Sequence, residues 1–137
     1  MRDSSYAAAL LIERLVQDSY PDRQPSAMKP LQWSILRYLK SVDGKPVDVT
    51  TVAKYLGRTN APISRAVTTL ESRGLLEKGN TVGSASVAIT LTDSGMAVLD
   101  SDPMRRFASW ITDLPENERE TLLRAVRSMT MIANKKD

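Results

Sequence analysis

The stretch TTVAKYLGRTNAPISRAVTTLESRG, residues 50–74, holds two helix starts and two helix stops, and its reading decides the fold. Thr50 is placed to cap a short helix carrying Val52, Ala53 and Leu56, and Gly57 ends it as a left-handed C-terminal residue does. A second start follows at once. Thr59 or Asn60 precedes Ala61-Pro62, proline being tolerated in a first turn, and a longer helix then runs to Gly74. In that second helix Ile63, Ala66, Val67 and Leu70 share one face. The opposite face is therefore Ala61, Arg65, Thr68 and Ser72, flanked by Ser64 and Thr69. A helix entering the major groove needs short side chains for close approach, hydroxyls for phosphates or base edges, and an arginine whose fork suits guanine or phosphate. This face supplies all three.

Working outward, the spacing predicts a helix over Leu31–Lys40 opened by Pro30. An Asp43-Gly44-Lys45-Pro46 turn and a very short strand at Val47-Asp48-Val49 follow. After residue 74, Leu75–Lys78 and Val87–Leu91 alternate as strands joined through residues 79–84, which makes a hairpin. The order helix, short strand, helix, capped second helix, hairpin is that of a winged helix-turn-helix, and the fold class is mainly α with a small β-wing. At the ends, Tyr6–Val16 is an amphipathic helix followed by a Pro-rich loop over Ser19–Pro30. Thr92 or Asp93 caps a helix reaching about Asp100, where Ser101-Asp102-Pro103 interrupts it. Phe107, Trp110, Ile111 and Leu114 then form one stripe expected to be buried. Pro115-Glu116 opens a last helix with Leu122, Ala125, Val126, Met129, Ile132 and Ala133 on one side.

Composition narrows the chemistry. The 137 residues include no Cys and no His, which removes thiol nucleophiles, disulfides, imidazole catalysis and the usual zinc ligands. Neither a phosphate-cradling Gly loop nor an acid pair at a plausible site is present, so no catalytic residue, metal or cofactor is assigned. No apolar run reaches the length of a membrane span and the N-terminus lacks a signal-peptide pattern; the expectation is a cytoplasmic protein that does not engage membranes. The net charge is only +3, but residues 49–80 alone carry Lys54, Arg58, Arg65, Arg73 and Lys78 against Glu71 and Glu77. A local basic excess fits an anionic partner at one place.

Several motifs converge on one resemblance. Leu31-Gln32-Trp33-Ser34-Ile35-Leu36, Val52-Ala53-Lys54-Tyr55-Leu56-Gly57, Ile63-Ser64-Arg65-Ala66-Val67 with Leu70-Glu71-Ser72-Arg73-Gly74-Leu75-Leu76, and Ile89-Thr90-Leu91-Thr92-Asp93-Ser94-Gly95 together resemble the MarR family of bacterial transcriptional regulators. The resemblance covers nearly the whole chain. It implies a single chain-long unit over 1–137, with dimerisation helices at 1–20 and 96–137 and a winged helix-turn-helix at 30–95. It further implies a homodimer on double-stranded DNA at a pseudo-palindromic operator, usually a repressor released by a small-molecule effector. Thr59, Asn60, Ser64, Arg65, Thr68 and Thr69 match the family's groove-facing residues, while Lys54, Arg58, Arg73 and Lys78 are assigned to phosphates.

One departure stands out. Family wings carry an arginine between the strands, whereas Asn80-Thr81-Val82-Gly83-Ser84-Ala85-Ser86 has none, leaving hydrogen bonds from Asn80, Thr81 and Ser84 without a cation for the minor groove. The recognition helix is then expected to dominate. The neutral wing also keeps open an alternative, a winged helix that serves as a protein-interaction or assembly module without a specific DNA site. Trp33 falls off the Leu31, Ile35, Leu39 face, alongside Arg37 and Lys40, and so is expected outside that core. It either docks against the long end helices or stacks on Arg37, or it lines an effector cleft with Met28 and Tyr38.

Overall fold

The computed structural model describes residues 2–21, 24, 27–79 and 87–135. Seven α-helices are described, α1 (Arg2–Ser19), α2 (Pro30–Ser41), α3 (Val49–Leu56), α4 (Asn60–Ser72), α5 (Asp93–Val98), α6 (Pro103–Thr112) and α7 (Glu116–Lys135), with one 3-10 turn at Leu99–Ser101. Three short strands, β1 (Val47–Asp48), β2 (Leu76–Gly79) and β3 (Ala88–Leu91), form an antiparallel sheet in the order β1-β3-β2. The mainly helical fold with a small β-wing is as expected from the sequence.

The chain divides into two compact units, Met1–Pro21 with Pro103–Asp137, and Asp22–Asp102. Residues 96–102, grouped with the end helices on sequence grounds, therefore belong with the winged region. Two contacts account for this: Leu99 is buried, and the Asp102 carboxylate accepts from Arg37 Nε at 2.8 Å and Nη2 at 2.6 Å.

In the 22–102 unit, Ile35, Leu36 and Leu39 of α2 meet Val52 of α3, Ile63, Val67 and Leu70 of α4, and Leu76 and Ile89 of the sheet. Trp33 joins the buried set at 8% exposure, against the sequence expectation. The reason is the width of the apolar arc. At about 100° per residue, Ile35, Leu39, Gln32, Leu36 and Trp33 span about 160° of α2, so Trp33 sits at the edge of the buried face and not behind it. Thr50 is not the cap of α3 either. Asp48, with φ −87 and ψ 161, is the N-cap, and its carboxylate accepts from the Thr51 N–H at 2.7 Å. Hydrogen bonds from Thr51, side chain first and backbone second, hold the Asp48 carboxyl below its ordinary pKa.

Thr92 caps α5, accepting from Gly95 N at 3.0 Å, and its hydroxyl also donates to the Gly74 carbonyl at 2.7 Å. One threonine thus starts α5 and holds the turn that ends α4.

In the other unit α1 packs on α6, and Arg119 of α7 donates to the carbonyls of Thr112 (3.1 Å) and Leu114 (3.3 Å), closing the end of α6. Phe107, Trp110, Ile111 and Leu114 are half-buried, not buried as the stripe suggested. Three helices of one chain do not enclose them. The same unit leaves Tyr6, Leu11, Met131 and Ile132 exposed and holds an apolar groove of about 640 Å³ lined by residues that include Leu15, Phe107, Ile111, Leu122, Val126 and Met129. No described helix is long and apolar enough to cross a membrane.

Candidate nucleic-acid interface

The helix-turn-helix is built by two helix ends that glycine makes sharp. Gly57 adopts φ 67, and the Arg58 N–H reaches the Ala53 carbonyl at 2.9 Å, so α3 stops and the chain turns within three residues into α4. Asn60, in the first turn of α4, donates through Nδ2 to Thr50 Oγ1 at 3.1 Å and ties the starts of the two helices together. Thr59 is the N-cap of α4 by backbone, although its side chain makes no capping bond.

Burial divides α4 as its periodicity predicts. Ile63, Val67 and Leu70 are fully buried and Ala66 nearly so. Ala61, Ser64, Arg65, Thr68 and Ser72 are exposed and Thr69 is half-buried. The hydroxyls on this face differ in what they have left to offer. Thr68 Oγ1 donates to the Ser64 carbonyl at 3.0 Å, Thr69 Oγ1 to the Arg65 carbonyl at 3.2 Å, and Ser72 Oγ to the Thr69 carbonyl at 2.7 Å. The Ser64 hydroxyl has no partner among the described residues.

The basic residues sort in the same way. Lys54, Arg58 and Arg65 are exposed and make no ion pair among the described residues, so their charges are available to an anion. Arg73 is exposed at the end of α4. Lys78 of β2 is engaged: its Nζ donates to Thr68 Oγ1 at 3.1 Å and lies 3.6 Å from Glu71 Oε1. Its partnership with Glu71, with both side chains partly exposed, is a weak surface pair. The wing residues Asn80, Thr81 and Ser84 lie outside the described residues.

Of Met28, Trp33 and Tyr38, the residues considered for an effector, one borders a described depression. Tyr38 borders a 230 Å³ depression with Ser34, Arg37, Ser41, Tyr55 and Leu56, and its ring packs on Tyr55 at 4.5 Å between centroids. Neither Met28, half-buried ahead of α2, nor the buried Trp33 is among its walls. Sequence reasoning missed Tyr55, whose exposure at 68% on an otherwise ordinary α3 gives no periodic signal, and Glu71, whose role depends on where β2 returns.

Residues 28–84 match the family model of the MarR family. No curated protein matches the chain in sequence. Among solved structures, the fold is similar to MepR, a transcription regulator of the multidrug efflux pump MepA in Staphylococcus aureus, at 20% identity and a TM-score of 0.73 over 94% of this chain and 97% of that one. A MepR–DNA complex is similar at 21% identity and a TM-score of 0.71, covering 95% and 97% of the two chains. The PcaV transcriptional regulator of Streptomyces coelicolor, in complex with its natural ligand, shares 25% identity at a TM-score of 0.66 over 90% and 91%. The MarR-family model thus matches the helix-turn-helix segment, and over nine-tenths of its length the chain shares its fold with the transcription regulators MepR and PcaV.

Proposed function

We propose that this chain is a transcription regulator that binds double-stranded DNA in a sequence-specific manner as a homodimer, without catalysis. The observation that carries the reading is the outward face of α4. A helix seated by its buried Ile63, Val67 and Leu70 turns a small, hydroxyl-rich face to solvent, with an Arg65 that makes no ion pair among the described residues, and Arg58 and Lys54 flank its start. Dimerisation is supported by the exposed apolar side chains of α1 and α7 within one unit, a larger apolar surface than a lone chain has reason to keep. A two-fold dimer implies a pseudo-palindromic operator, and the reading includes repression, by occlusion of a promoter. The DNA complex of MepR supports DNA binding, and the ligand complex of PcaV supports a small-molecule effector; release from DNA by that effector and a cytoplasmic location complete the reading.

Selection from random duplex DNA at near-physiological salt tests this. The expected result is enrichment of a two-fold symmetric motif with half-sites about 10 base pairs apart, centre to centre. Bulk salt-sensitive binding with no motif would overturn it and favour a protein-interaction role for the winged helix.

A further inference from the structure

Thr68 sits on the outward face of the helix proposed to read DNA, yet its hydroxyl is already committed. A threonine hydroxyl has one proton and two lone pairs. The proton goes to the Ser64 carbonyl at 3.0 Å, and one lone pair accepts from Lys78 Nζ at 3.1 Å. One partner is helix backbone; the other is a side chain carried on β2, where Lys78 pairs with Ile89 of β3 and its Nζ also lies 3.6 Å from Glu71 Oε1. Thr68 therefore has no proton to give a phosphate or a base acceptor; on this exposed residue one acceptor lone pair and the methyl group remain for a partner. Ser64 and Arg65, one turn earlier, keep free donors.

Resting on the DNA-binding reading, we propose that Thr68 is a specificity-determining residue that reads the C5-methyl of a thymine by apolar contact, with Lys78 as the positioning residue that holds the hydroxyl inward. Major-groove edges differ in this respect, since thymine alone among the four bases carries a methyl there. Residues 65 and 68 are separated by about 4.5 Å of helix rise, somewhat more than the 3.4 Å base step. The thymine thus lies within one or two base pairs of the base that Arg65 contacts.

The test uses the full chain and the operator recovered by selection, with each thymine of a half-site replaced in turn by deoxyuridine, which removes only the methyl. Wild type is expected to lose about fourfold in affinity per half-site at one position, the weight of one methyl group returned to water. Thr68→Val, which keeps a methyl and lacks the hydroxyl, should retain that sensitivity. Thr68→Ser, which keeps the hydroxyl and lacks the methyl, should bind the thymine and deoxyuridine operators equally. A Thr68→Ser protein with wild-type affinity and sensitivity, or a Thr68→Val protein that loses discrimination, overturns the proposal while leaving the DNA reading intact. So does a recovered half-site with no thymine. Failure of selection to yield any motif overturns both.

Discussion

Gly95→Ala is the substitution whose outcome most sharply tests the packing derived above. In an ordinary helix the change from glycine to alanine is stabilising by up to about 1 kcal/mol. Here an added Cβ would fall on the Leu75 carbonyl oxygen and 2.6 Å from Leu91 Cδ1. The obstacle is backbone, and that carbonyl is the acceptor for the Thr92 N–H at 3.3 Å, so it cannot withdraw without loosening the junction of α4, β3 and α5. Overpacking of this kind costs about 1–3 kcal/mol. With the obstacle in backbone the upper end applies, and after the helix-propensity gain the net loss is about 2 kcal/mol. With an m-value of about 2 kcal/mol/M, the urea midpoint should fall by about 1 M. Gly79→Ala is the control, since a Cβ there meets nothing within 4 Å among the described residues. Far-UV circular dichroism along a urea titration reads both. A Gly95→Ala protein as stable as wild type, or more so, would refute the close approach of α5 to the Leu75 backbone.

Further outcomes follow from individual contacts. Asp102→Ala removes two charge-assisted bonds from Arg37, whose side chain is 28% exposed, and should cost about 1–3 kcal/mol; a double-mutant cycle with Arg37→Met that shows no coupling would contradict it. Because its native hydrogen bonds lower the Asp48 pKa, its carboxylate stabilises the fold above the ordinary carboxylate range, and that contribution disappears as pH falls through the native value. Asp48→Asn should accordingly flatten the acid limb of a stability–pH profile, and an unchanged limb would remove Asp48 from the account. Arg65→Ala should cost about 1–3 kcal/mol of discrimination at one base position of the selected operator. Equal weakening on all sequences would make Arg65 a phosphate contact.

Features governed by local spacing were legible without coordinates. The Gly57 stop, the buried Ile63, Val67 and Leu70 stripe, and the hairpin strands all follow from neighbours within a few residues. What escaped was set by distance along the chain or by double duty. Thr50 looked like a cap because it precedes the apolar run, but Asp48 already holds the extended backbone a cap needs, being also the end of β1. The spacing of Leu31, Ile35 and Leu39 leaves Trp33 outside their stripe, which is too narrow for a helix buried by α3, α4 and β3 together. In the candidate site, residue identity and exposure could be read from periodicity. The commitment of the Thr68 hydroxyl could not, because Lys78 arrives only through the register that sets β2 against β3. The α6 and α7 stripes were legible as apolar, while their degree of burial depends on more surface than three helices provide.

The identity of Asp48 as both the last residue of β1 and the cap of α3 has a mechanical consequence. Asp48 pairs with Ala88, and the first helical residue, Val49, still bonds to the Val87 carbonyl at 3.2 Å, so no linker separates sheet from helix. A lever with no slack at its pivot transmits displacement without loss. Any tilt of β3 must therefore carry the start of α3 with it and, through Thr50 and Asn60, the first turn of α4.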